Sequence, residues 1–240
     1  MRKFSVTTPD RLTIAAGEWG NPDGQEILFL HGYMQSSLSW LRQLSDPALA
    51  DKFRMIAYDL RGHGASDKPP EKARYADGRL WADEAAAVIV AANLRRPVLV
   101  AWSYSGRVVS DYVRYHGLGP IAGVNFVDAV TKSAPELVGP DYKLIAATFS
   151  GDIEATRAFL SACFLTKPSP DDFETMLAFN MACPAAVRSH LMSRPPNSGD
   201  MLARLTVPAL VTHGAGDRII LPAMSEFTAS AAPNAKLSLY

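Results

Sequence analysis

One serine constrains this chain more than any other residue. In Pro97-Val-Leu-Val-Ala-Trp-Ser103-Tyr-Ser-Gly-Arg-Val-Val-Ser-Asp-Tyr-Val113 a short apolar run meets a helical pattern, with Ser103 at the junction. Val98, Leu99 and Val100 suit a strand covered on both faces, while Val108, Val109, Tyr112 and Val113 recur at helical spacing. A turn this tight requires small residues two before and two after the serine. They are Ala101 and Ser105, with Gly106 following. Such a strand-turn-helix lifts a serine hydroxyl above the end of a buried strand, where a nucleophile belongs. The usual pattern has glycine at both flanking positions, and this chain departs from it at both.

Two further segments stand in the chain order that such a nucleophile needs. Glu26-Ile-Leu-Phe-Leu-His31-Gly32-Tyr33 reads as a strand ending in His-Gly, followed by Ser36-Ser37 and a helical pattern through Trp40, Leu41 and Leu44. Arg54-Met-Ile-Ala-Tyr-Asp59-Leu-Arg61-Gly62-His63-Gly64-Ala-Ser66 reads as a strand ending in a glycine-rich loop. With Pro208-Ala-Leu-Val-Thr-His213-Gly-Ala-Gly-Asp217, these segments resemble the α/β-hydrolase superfamily over essentially the whole chain. The Asp-x-Arg-Gly-x-Gly-x-Ser loop is the most specific of them. The chain is similar in particular to the cofactor-free haloperoxidase, esterase and perhydrolase branch, partly through Tyr115-His-Gly117 at the end of the helix after Ser103.

At 240 residues and 48% hydrophobic content the chain can bury one sizeable core. Lysine plus arginine equals aspartate plus glutamate at 24 each, so no basic surface argues for nucleic acid or an anionic membrane. Cys163 and Cys183 form neither a disulfide framework nor a metal-binding pair; both are expected to be free buried thiols of a reducing compartment, the cytoplasm. No run approaches the roughly 18 apolar residues of a membrane span, and the first residues alternate like an edge strand.

Strands are expected near 2–8, 12–19, 26–31, 53–59, 97–102, 121–128, 208–213 and 235–240, and helices near 37–50, 78–94, 104–117 and 222–232. The alternation from residue 26 onward implies a mostly parallel eight-stranded sheet flanked by helices. Residues 131–205 break the rhythm with helical patterns separated by Lys167-Pro-Ser-Pro170 and Arg194-Pro-Pro-Asn-Ser-Gly199. They read as a helical cap inserted between the sixth and seventh strands, with 1–130 and 206–240 forming the core. A cap at the carboxyl ends of the strands roofs the pocket and helps choose the substrate.

Acyl transfer needs a serine, a base to take its proton, a buried carboxylate to orient the base, and N–H donors for the oxyanion. Ser103 is the expected nucleophile. The expected oxyanion donors are the backbone N–H groups of Tyr104 and of Tyr33, which leaves both tyrosine rings free to line the pocket. The resemblance places the acid at Asp217, with Asp128 as the alternative because some branches carry it after the sixth strand. Asp59, Arg61 and His63 are expected to hold their own loop, and His31 and His213 to fix local turns.

In the family order the histidine follows the eighth strand, and Ala235-Lys-Leu-Ser-Leu-Tyr240 resembles that strand. His116 and His190 do not match the motif position. The catalytic histidine is therefore expected to be missing from this chain, which would leave it little active. The function implied is hydrolysis of a small ester or related acyl substrate through an acyl-serine intermediate. A C–C hydrolase or hydroxynitrile lyase on the same triad, or a non-catalytic ligand-binding module, are the alternatives. No metal or cofactor is expected, since there is no zinc-ligand spacing and no G-x-G-x-x-G follows a strand. Serine at the nucleophile position argues against dehalogenase and epoxide hydrolase chemistry, which the superfamily runs on a carboxylate.

Overall fold

The computed structural model describes residues 1–196 and 200–240. Eight strands form one sheet: β1 (Arg2–Thr7), β2 (Thr13–Gly20), β3 (Gln25–Leu30), β4 (Phe53–Tyr58), β5 (Val98–Trp102), β6 (Gly123–Val127), β7 (Ala209–His213) and β8 (Ala235–Leu239). Their spatial order is β1-β2-β4-β3-β5-β6-β7-β8, with β2 antiparallel to both its neighbours and every later pair parallel. Chain order and spatial order part at β3 and β4, so β3 lies between β4 and β5 and the ends of β3 and β5 stand side by side. The two sequence segments with the sharpest patterns, His31-Gly32 and Ser103, are thereby neighbours.

The helices are α1 (Leu41–Leu44), α2 (Pro47–Lys52), α3 (Ala73–Ala76), α4 (Gly78–Ala91), α5 (Ser105–His116), α6 (Leu144–Ala147), α7 (Ile153–Ala162), α8 (Pro170–Met181), α9 (Ala185–Met192) and α10 (Pro222–Ala231). On one sheet face Trp81 and Val88 of α4, Val108 and Val109 of α5 and Met224 of α10 join the main core. On the other, Trp40 and Leu44 pack on Phe29, Met55 and Val100. The continuous helix expected over 37–50 is instead a 3-10 turn at Ser37–Trp40, then α1, then α2. Pro47 is the cause: it disfavours helical backbone at Asp46, which is extended at φ −69°, ψ 121° and caps α2 by accepting from the Leu49 N–H.

Residues 131–205 hold α6 to α9 and no strand of the sheet among those described. Asp152 and Ser169 cap α7 and α8 by accepting from the Ala155 and Asp172 N–H groups. Asn197, Ser198 and Gly199, the end of the expected second separator, lie outside the described residues. No helix among the described residues is long and apolar enough to cross a membrane.

The glycine-rich loop after β4 is tied down as a unit. Asp59 accepts from the N–H groups of Ser37 and Ala65 at 2.7 and 2.8 Å. Burial works against its charge, but His31 and these N–H groups hold its carboxyl below the usual range. Arg61 donates to Glu84 at 2.7 Å and Asp10 at 2.9 Å, and His63 donates through Nδ1 to the Arg61 carbonyl at 2.9 Å.

Candidate active site

Ser103 takes a left-handed backbone conformation, φ +50°, between β5 and α5. For a non-glycine residue this costs about 1–2 kcal/mol and persists only where the surroundings over-determine it. Here they do: the Ser103 N–H donates to Val127 at 2.9 Å, and its carbonyl accepts from Gly106 and Val130 at 3.1 and 2.9 Å. Ser105 is fully buried and donates from Oγ to the His31 carbonyl at 2.5 Å, locking the turn onto the end of β3. A Cβ on Gly106 would stand 2.7 Å from the Val130 carbonyl oxygen, so the small residues after the serine are a steric requirement.

Gly32 lies directly against this turn; a Cβ there would be 3.3 Å from that of Ser103. The Gly32 carbonyl accepts from His31 Nδ1 at 2.8 Å and from the Gln35 N–H at 3.2 Å. In a trans peptide the N–H points opposite to the carbonyl, so these bonds turn the Tyr33 N–H away from His31. Neither the Tyr33 nor the Tyr104 N–H donates to a partner among the described residues. The two rings behave differently. Tyr33 lines the cavity at Ser103 and packs edge-on against Phe159 at 5.9 Å. Tyr104, expected beside it, instead turns into the core between Trp81 and Arg107, its hydroxyl donating to the Leu191 carbonyl at 3.3 Å. It is the first residue past the elbow, and α5 carries its side chain to the face that meets α4 and α9.

A cavity of about 120 Å³ opens over Ser103, walled by Gly32, Tyr33, Trp102, Phe159 and Ile220, with Asp128 and Asp217 on one side. Asp217 follows β7 and accepts from the Ile219 and Ile220 N–H groups at 2.7 and 3.0 Å. Burial, and the nearby charge of Asp128, raise its carboxyl above the ordinary range despite those bonds. Asp128 follows β6 and accepts from the Gly214 N–H at 2.9 Å. The loop holding Asp217 is clasped from outside: Gly139 donates to Ile219, Leu221 to Leu137, and Arg218 pairs with Asp141 at 2.7 Å.

Asp128, Asp217 and His213 are the one cluster among the described residues with metal-ligand composition, within 4.8 Å of one another. Its histidine has no free nitrogen. His213 Nε2 donates to the Ile220 carbonyl at 2.9 Å, which leaves Nδ1 to accept from Ser225 at 2.7 Å. Each of the other four histidines is bonded to a partner away from the cavity. His31 Nε2 accepts from the Leu60 N–H at 3.0 Å, His63 faces the Arg61 carbonyl, His116 pairs with Asp83 at 2.8 Å, and His190 meets the Pro70 carbonyl at 3.1 Å. None of the five lines the cavity.

The structure thus gathers Ser103, Asp217, Asp128 and the Tyr33 peptide at one cavity. Sequence reasoning missed its walls: Gln35, Trp102, Phe159, Cys163, Ile219 and Ile220. The Ile219-Ile220 pair right after Asp217 was a readable signal, and Phe159 belongs to the helical segment expected to roof the pocket, though nothing local singled it out. Cys183 is buried as expected, but Cys163, just past the end of α7 and lining the cavity, is exposed.

Residues 27–238 match the model of the alpha/beta hydrolase family, and the chain belongs to that family. It is an α/β-hydrolase-fold enzyme. Among solved structures it is similar to a candidate aryl esterase from Burkholderia cenocepacia, 36% identical with a TM-score of 0.94, covering 100% of this chain and 89% of that one. An esterase from Rhodococcus sp. ECU1013 is 31% identical with a TM-score of 0.92, over 100% of this chain and 90% of that one. A non-heme haloperoxidase from Rhodococcus erythropolis is 29% identical over 98% of this chain and 90% of the relative.

Proposed function

We propose that the protein hydrolyses a small carboxylic ester or related acyl substrate through an acyl-serine intermediate on Ser103. The observation that carries this reading is the strained, over-determined Ser103 at a cavity lined also by Gly32, Tyr33, Asp128 and Asp217. Ser103 Oγ attacks the acyl carbon while its proton passes to a base, and the carbonyl oxygen, now negative, accepts from the N–H groups of Tyr33 and Tyr104. The bond to the leaving alcohol then breaks and the alcohol takes the proton. Water repeats the sequence on the acyl-enzyme and frees the acid.

Asp217 is the proposed acid, with Asp128 as its neighbour and alternative. None of the five histidines described above is proposed as the base, since each is engaged elsewhere and none lines the cavity. Residues 131–205 are proposed as a cap, since Phe159 and Cys163 come from them to wall the cavity.

The test is covalent labelling by a fluorophosphonate probe of the protein in its full natural length. Labelling is expected at Ser103, and Ser103→Ala should abolish it with an unchanged far-UV spectrum. Equal labelling of the alanine variant would remove Ser103 from the mechanism.

A further inference from the structure

Arg188 of α9 is 1% exposed, yet among the described residues it pairs with no carboxylate. Its guanidinium donates to neutral acceptors on three other pieces of the helical segment. Nε reaches the Cys183 carbonyl at 2.8 Å, Nη1 the Thr148 carbonyl at 3.0 Å and Thr156 Oγ1 at 2.9 Å, and Nη2 the Asn180 carbonyl at 3.3 Å and Met181 Sδ at 3.6 Å. A buried cation is costly, and well-packed apolar residues commonly serve stability as well or better. What a guanidinium adds is a rigid fork of donors that fixes several acceptors at once.

Two of the residues it fixes grip the loop that carries the Tyr33 N–H. Thr148 Oγ1 donates to the Ile145 carbonyl at 2.6 Å, so the Tyr33 hydroxyl, 2.9 Å away, donates to Thr148. Gln35, two residues on, donates from Nε2 to Asn180 Oδ1 at 3.4 Å. The loop is thus held from below by His31 on the Gly32 carbonyl and from above through Thr148 and Asn180.

We propose that Arg188, Thr148 and Asn180 form a latch that positions the Tyr33 N–H over Ser103, with Arg188 as its positioning residue. The inference rests on the acyl-transfer reading above. A lysine in place of Arg188 offers one ammonium where five acceptors were served, and the loop loses its upper hold. Losing one oxyanion donor costs roughly 10²–10³ in kcat, and a donor misplaced rather than removed should cost somewhat less, about 10–100-fold.

The experiment measures ester turnover and the fluorophosphonate labelling rate of the full-length protein carrying Arg188→Lys, Thr148→Val, Thr148→Ser, Tyr33→Phe, and Arg188→Lys with Tyr33→Phe. Arg188→Lys should lower kcat about 10–100-fold with KM within about threefold. Thr148→Val and Tyr33→Phe should lower it in the same sense, Thr148→Ser should restore it, and the double variant should be no worse than the poorer single one. A kcat within twofold of the parent for Thr148→Val and Tyr33→Phe would overturn the latch, and so would additive losses in the double variant. Should Arg188→Lys fail to fold, Thr148→Val against Thr148→Ser decides by the same criterion. Absence of Ser103 labelling in the parent would instead overturn the acyl-transfer reading itself.

Discussion

His63 offers a test of the fold that needs no substrate. Its ring is 0% exposed, Nδ1 donates to the Arg61 carbonyl, and Nε2 has no partner among the described residues. Burial, reinforced by the neighbouring His31 ring at 4.8 Å, pushes its pKa down to about 3. The unfolded chain binds a proton at this residue near pH 6.5 and the folded chain does not, so stability falls as the solution is acidified below that point. Between pH 7 and pH 5 the loss from His63 alone is about 2 kcal/mol, with a slope approaching about 1.4 kcal/mol per pH unit. That is a sizeable share of the roughly 5–15 kcal/mol that holds a domain folded. His31, also lowered chiefly by burial, adds to the same slope. His63→Asn keeps an amide donor near the Nδ1 position and cannot titrate. It should be less stable than the parent at pH 7, and the gap should narrow by about 2 kcal/mol by pH 5. Urea unfolding at pH 7, 6 and 5 measures both. A gap that stays constant with pH would refute a neutral buried His63.

The two carboxylates at the cavity are separated by their asparagine variants. In the full-length protein Asp217→Asn should lower ester turnover by roughly 10⁴-fold, and Asp128→Asn by much less; the reverse ranking would move the acid to the end of β6. Gly106→Ala should lower stability by about 1–3 kcal/mol, because the new methyl would meet the Val130 carbonyl at 2.7 Å and the Val130 N–H is itself bonded to Ser103. An unchanged urea midpoint would show that the elbow tolerates more than its packing implies.

The strands and the elbow were legible because their signals are local. Val98 to Val100 announce a buried strand, and Ser105 and Gly106 announce a turn with no room beside it. The break in the helix at 37–50 was also written locally, in Pro47, but the apolar spacing of Trp40, Leu41 and Leu44 outweighs it in a periodicity reading. The direction of the Tyr104 ring was not legible, since a residue at the start of a helix can turn to either side until the packing of α4 and α9 is known. The exposure of Cys163 depends likewise on where α7 ends relative to the cavity. Arg188 is the extreme case: five acceptors spread over residues 148–183 converge on it only after α7, α8 and α9 have packed.

The clasp between residues 137–141 and 218–221 divides the helical segment mechanically. Its root is fastened to the Asp217 loop by main-chain bonds that depend little on side-chain identity, whereas Thr148, in a 3-10 turn, and Asn180, in α8, touch the Tyr33 loop through their side chains. On the acyl-transfer reading, substitutions that disturb Thr148 or Asn180 would reach the chemistry through the Tyr33 N–H, while the main-chain bonds at the root would go on holding the Asp217 loop. On that reading, such a division would let the walls of the cavity drift toward new substrates while the Asp217 side stays in register, and variants that gain a substrate this way should show it first in how well they stabilise a developing negative charge.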